Sequence, residues 1–130
     1  MAKLIVDAVM DSALANVALS NLCVVLNVAP TVFSDLVDPT KALADVALTP
    51  LDGAGDWTIA NGDVSGRKLT LGAQSAVPVD ASGVANHVAV GAWISSVGAL
   101  KLATTCNSLM LAGGGTVDIP AFKYEITDPT

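Results

Sequence analysis

The stretch Trp57-Thr-Ile-Ala-Asn-Gly-Asp-Val-Ser-Gly-Arg-Lys-Leu-Thr-Leu71 decides the fold class. Trp57, Thr58 and Ile59 are strand formers, and Lys68-Leu69-Thr70-Leu71 alternates polar and apolar with the period of two that a half-buried strand requires. Between them, Asn61-Gly62 and Ser65-Gly66 tolerate positive φ, so the chain can reverse. The reading is strand, turn, strand: a surface-exposed β-meander without catalytic residues.

Downstream the same writing continues. His87-Val-Ala-Val-Gly-Ala-Trp-Ile94 places Val88, Val90 and Ala92 on one face and His87, Ala89 and Trp93 on the other. Gly91 leaves room for another backbone or a large ring such as that of Trp93. Ser95-Ser-Val-Gly98 turns the chain into Ala99-Leu-Lys-Leu-Ala-Thr-Thr-Cys106, with Leu100 and Leu102 inward and Lys101 outward, so this pair reads as a hairpin. Leu109-Met-Leu111 is a short apolar piece, residues 113–116 a flexible connection, and residues 117–126 the last strand, in which Pro120 marks a bulge or an edge.

Upstream, Leu22-Cys-Val-Val-Leu-Asn-Val28 is apolar on both faces and reads as an interior strand. Residues 31–41 read as helical turns with Thr31 as N-cap and Asp38-Pro39 opening a second, and residues 45–51 as an edge strand. Asp52-Gly-Ala-Gly-Asp56 has neither the phosphate-loop nor the calcium-loop pattern and is expected to be a flexible hairpin connection. Over residues 4–19, polar Asp7, Asp11, Ser12 and Asn16 recur at helical spacing among apolar neighbours. The apolar arc is wide enough to be buried on several sides, either in its own domain, the favoured reading, or against a neighbouring subunit. Leu4, Ile5, Met10 and Leu14 are the candidate subunit-interface residues.

These elements sum to a mainly β chain: an antiparallel β-sandwich or small barrel with an N-terminal α-helix, strands recurring at intervals of about ten residues. Its 130 residues fit a single domain, residues 1–130, with a helix at about 4–19 and a β-rich body at about 22–128. With 4% aromatic residues, the core must consist of small aliphatic side chains.

Six basic residues against twelve acidic give a formal charge of −6. Only Arg67-Lys68 approaches a basic patch, so neither nucleic acid nor an anionic membrane is an expected partner. Asp7, Asp11 and Asn16 interrupt the apolar start too early for a signal peptide or a membrane span. Cys23 and Cys106 have no metal-ligand spacing; the apolar text around both favours buried thiols, although a disulfide stays open at this point. His87, the lone histidine, has neither partner ligands nor a nucleophile elbow nearby and is expected to be structural. No catalytic, metal or cofactor-binding residue is assigned, no cofactor is expected, and the chain does not read as an enzyme.

Four stretches carry a resemblance: residues 57–71, Val79-Asp-Ala-Ser-Gly-Val-Ala-Asn-His-Val-Ala-Val90, Leu102-Ala-Thr-Thr-Cys106 and Gly115-Thr-Val-Asp-Ile-Pro-Ala-Phe-Lys-Tyr-Glu-Ile-Thr-Asp-Pro-Thr130. With the Met-Ala-Lys-Leu opening and the 22–30 strand, they make the chain similar to a family of small virion-associated proteins of tailed bacteriophages. The resemblance implies a structural part of the particle, foremost a capsid decoration (cement) protein that binds and stabilises the shell. Its implied partners are copies of itself and the major capsid protein, the excess apolar surface of the first helix suggesting a trimer at local threefold positions; its implied place is the virion, assembled in the bacterial cytoplasm. The alternative is a tail, fibre or baseplate component that attaches to a host receptor. The 31–48 region departs from the expected pattern, being richer in Val, Leu and Ala than a polar loop needs.

Overall fold

Trp57, Leu69 and Leu71 are each 1% exposed, so one face of the decisive stretch packs into the core, while its turn, with Val64 94% exposed, lies at the surface. The computed structural model describes residues 5–129. Helix α1 (Asp7–Val17) leads into β1 (Leu22–Leu26), a 3-10 turn (Phe33–Leu36), β2 (Ala42–Ala47), β3 (Trp57–Asn61), β4 (Arg67–Leu71) and β5 (Gln74–Pro78). Then come β6 (Gly83–Ile94), β7 (Val97–Leu111), β8 (Thr116–Ile119) and β9 (Phe122–Ile126). The fold is mainly β, antiparallel and sandwich-like, behind one N-terminal helix.

Three sheets run β2-β1-β6-β7, β3-β4-β9 and β5-β8. Strand β1 is interior, as its two apolar faces require, with Cys23 opposite Val46 on one side and Val90 on the other. Strand β5 approaches β2 through a bridge between Ala44 and Val79. The main core joins all three sheets and the helix: Leu14, Val25, Leu43, Trp57, Leu69, Leu71, Val77, Val90 and Ile119 form one cluster. Trp57 also donates its indole N–H to the Ser20 carbonyl at 3.1 Å, so the largest core ring carries a satisfied polar handle.

The four-stranded sheet packs on its other side as well. Val24, Leu26, Leu36 and Ala89 form a second cluster, flanked by Phe33, Ala42 and Leu100. This is why residues 31–48 are too apolar for a loop: the 3-10 turn covers the outer face of the sheet. The turn is held by Asp35, whose carboxylate accepts the Thr31 and Val32 backbone N–H groups at 2.8 and 3.3 Å and pairs with Lys41 at 2.6 Å. The expected Thr31 cap is therefore reversed: Thr31 is capped, by a side chain four residues on. Asp38 makes a local turn instead of opening a helix, accepting from Thr40 N–H at 2.9 Å.

Several expectations are corrected. The edge strand expected at 45–51 is β2 at Ala42–Ala47, ending before Pro50. Loop 52–56 joins strands of different sheets, so it is not a hairpin connection; its aspartates tie it down by accepting Ile59 N–H on Asp52 and Thr49 N–H on Asp56. The single last strand is two, because Pro120 cannot donate to a ladder and the chain changes sheets there: β8 pairs with β5, β9 with β4. The piece at 109–111 belongs to β7.

Candidate functional site

Strand β6 is buried at Ala85 and from Val88 to Ala92, but the β6–β7 hairpin leaves its tip and residues 103–110 of β7 exposed. It closes through Ser95-Ser96, both at positive φ (51° and 64°), the conformation of a tight two-residue hairpin turn, written here with serines where glycine or asparagine is usual. Ile94 pairs with Val97 and Ala92 with Ala99. A bulge then follows, with Val90 opposite Leu102 but Gly91 opposite Leu100. One extra residue turns the side chains over, so Leu100 packs in the outer cluster and Leu102 against the main core. Both leucines are inward, as expected, but on opposite faces.

At the hairpin tip Trp93 stacks on Phe33 with ring centroids 5.4 Å apart. Gly91 and Gly98 make the seat: a Cβ on Gly91 would lie 2.8 Å from Leu36 Cδ1, and one on Gly98 would overlap the Phe33 ring. Asn21 fixes the Trp93 backbone, its Oδ1 accepting the Trp93 N–H and its Nδ2 donating to the Trp93 carbonyl, each at 3.0 Å. Around the stack lies an open groove of about 390 Å³ lined by Asn21, Leu22, Phe33, Val37 and Trp93. Beyond it Ile94 and Val97 are exposed. At the other end of the hairpin Leu109 and Met110 are exposed, beside a second groove of about 220 Å³ floored by Val25, Ala85 and Val88 between β7 and β8.

This surface is almost without charge. From residue 81 to residue 117 the one formally charged side chain is Lys101, whose ammonium donates to Asn16 on α1 at 2.8 Å. The remaining charge lies elsewhere, much of it in pairs: Arg67 with Asp11 at 2.7 Å, and Lys68 and Lys123 with Asp63. The Asp11 carboxylate raises the Arg67 pKa, so the Arg67-Lys68 pair is already engaged within the chain.

The candidate interface residues from the helix are not brought together at the surface. Met10 and Leu14 are buried within the chain, Ile5 is 39% exposed, and Leu4 lies outside the described residues. The helix instead shows Val6 and Val9 to solvent. Cys23 is a free, buried thiol whose pKa burial pushes up to about 12, but Cys106 is free and exposed, which corrects the expected burial of both. His87 is part-buried, its Nδ1 2.6 Å from Asn86 Oδ1. The hairpin tip escaped sequence reading as a site because Trp93 alternates like any strand residue; the available signal was the 81–117 run with one charge in an acidic chain. Among the described residues no group of three His, Cys, Asp or Glu side chains is placed to hold a metal ion, and no helix is long and apolar enough to cross a membrane. Comparison with family models, with curated proteins and with solved structures gave no match to this chain.

Proposed function

We propose that this chain is a structural protein of a tailed-bacteriophage particle, a capsid decoration protein that docks on the assembled shell and stabilises it. The observation that carries the reading is the concentration of exposed apolar side chains on one nearly uncharged hairpin: Val84, Trp93, Ile94, Val97, Leu109 and Met110. Exposed apolar area gathered on one element is what contact with other subunits requires, while an acidic remainder keeps the particle soluble. The resembling stretches supply the rigid body: 57–71 is β3–β4, 79–90 runs into β6, and 115–130 contains β8 and β9. In this reading the partners are copies of the chain and the major shell protein, the place is the virion, and no cofactor takes part.

The test is quantitative mass spectrometry of purified particles together with their imaging. A copy number on the scale of the shell subunit, with density on the outer capsid surface, is the expected result. A copy number on the scale of tail parts would transfer the protein to the tail, fibre or baseplate alternative, and absence from the particle would overturn both.

A further inference from the structure

The outer edge of β7 is an open hydrogen-bonding template. The strand is fifteen residues long, with a bulge on either side of residues 102–105, and among the described residues it pairs only with β6. Helix α1 reaches it at Lys101, and beyond that point residues 103–110 are all exposed, on both faces of the strand. The direction of the backbone groups follows from β6. Gly91 O accepts Asn21 N–H, and Trp93 exchanges bonds with the Asn21 side chain, so both turn toward β1. Alternation turns Val90 and Val88 toward β7, where they meet Leu102 and Thr104. Ala103 and Thr105 are then left with N–H and C=O on the open side. The Thr105 carbonyl has only a 3.4 Å contact from the neighbouring Thr104 hydroxyl.

Every other edge is short and guarded. Strand β3 is covered by its own loop, through Gly53 N–H to the Trp57 carbonyl and Ile59 N–H to Asp52. Strand β2 has six residues, carries Asp45, and is bridged by Val79. Strand β8 has four residues, with Asp118 and a following Pro120; β9 alternates Lys123 and Glu125. Charges, prolines, bulges, covering loops and short length are the devices that keep strand edges from pairing; β7 bulges at 106–108, where Thr105 pairs with His87 but Leu109 with Ala85, and residues 103–105 just before that bulge carry none of these devices.

We propose that this edge pairs with the same edge of a second copy, antiparallel about a two-fold axis, joining two four-stranded sheets into one of eight. Unpaired N–H and C=O groups select another extended backbone as the occupant, and charge selects the copy. Two chains of formal charge −6 repel over most of their surfaces, but between Asp80 and Asp118 each carries only Lys101. An isologous contact there brings like edges together without apposing carboxylates. Leu109 and Met110, exposed beside the β7–β8 groove, add apolar area to the seam. The dimer does not depend on the decoration reading, since it is expected of the isolated protein in solution.

Sedimentation equilibrium of the full chain, from sub-micromolar to the hundred-micromolar range, tests it together with residue-resolved amide exchange. The expected result is a monomer–dimer equilibrium that tightens with added salt, because screening reduces body-to-body repulsion across a neutral seam. Ala103 and Thr105 amides should become protected as concentration rises, while the Thr104 amide, already bonded to β6, does not change. Thr105→Pro removes an open-side N–H from each copy and should weaken association by at least about tenfold. Should that variant fail to fold, Ala103→Lys with Thr105→Lys supplies the missing edge guard and should give a folded monomer. A monomer at the highest concentration, a dimer with unprotected Ala103 and Thr105 amides, or a dimer that survives the lysine pair would each overturn the proposal.

Discussion

The four-stranded sheet is packed on both faces, but by different means. Its inner face meets two other sheets and a helix, and the cluster there draws residues from Leu14 to Ile119. Its outer face is covered by one short segment, the 3-10 turn with Phe33 and Leu36, held by local bonds from Asp35 and by a ring seated on two glycines. The inner core therefore belongs to the global fold, whereas the segment covering the outer cluster is held by local bonds and is expected to open before the rest unfolds. Each side has its own tryptophan, buried Trp57 inside and half-exposed Trp93 outside, so fluorescence can follow the two separately.

Trp57→Ala is the largest test. It deletes the biggest buried side chain and its bond to the Ser20 carbonyl, and such truncations cost about 3–5 kcal/mol. For a domain whose total stability is of order 5–15 kcal/mol, the urea midpoint should collapse and both faces should melt together. If Trp93 emission kept a separate transition, the outer unit would be more independent than the packing indicates. Gly98→Ala is the counterpart on the other side. Its new methyl group would overlap the Phe33 ring, and overpacking of this kind costs about 1–3 kcal/mol. Trp93 should become more open to acrylamide quenching while Trp57 does not change; a shift in both would break the distinction.

The inner face was largely legible in the sequence, and the outer face was not. Alternation in residues 57–71 and 87–94 reports which side chains share a side, and those strands formed with the expected facing. Alternation also implies one face for Leu100 and Leu102, which the bulge at Val90/Gly91 separates; nothing in the local pattern marks where an extra residue will fall. The sheet change at Pro120 was visible as a proline but not as a break, because an edge strand tolerates proline too. Phe33 over Gly98 is a contact between residues 65 positions apart, which no local period encodes. The helix residues Met10 and Leu14 were legible as apolar but not by destination, since burial in a domain and burial in an interface are written alike. The exposed site at the hairpin tip follows from the same gap.

The covering segment should also give way first in acid. Hydrogen bonding from Lys41, then from the Thr31 amide, holds the Asp35 carboxyl well below its ordinary value of 3.8. A depressed folded-state value means that its stabilisation is complete above the ordinary carboxylate range and is lost as pH falls through that range toward the folded value. Asp35→Asn should therefore lower the melting temperature at neutral pH, with Trp93 reporting the loss first. The gap to the parent protein should begin to narrow as pH falls through about 4, where the unfolded chain's carboxylate takes up its proton, and go on narrowing toward the lower folded value. A constant gap down to pH 2 would assign the effect to packing rather than charge.

Asp45 provides the smallest contrast, with opposite sign. It sits on β2 opposite Val24, beside a groove shared with Leu36, Val37 and Asp80. Partial burial, and then the Asp80 carboxylate, raise its pKa above 3.8. A raised value means that the folded state disfavours the charged form, so stability is lost as pH rises through the range and recovered on acidification. Asp45→Asn removes that charge while keeping the shape, and the side chain is exposed enough for solvent to screen it, so the gain at neutral pH should stay below about 1 kcal/mol. The gain should vanish below the ordinary carboxylate range, giving a pH slope opposite to that of Asp35→Asn on the same face of the sheet. If both variants sloped the same way, the outer core would be governed by the net charge of −6 rather than by these two sites, and a local electrostatic account of its stability would fail.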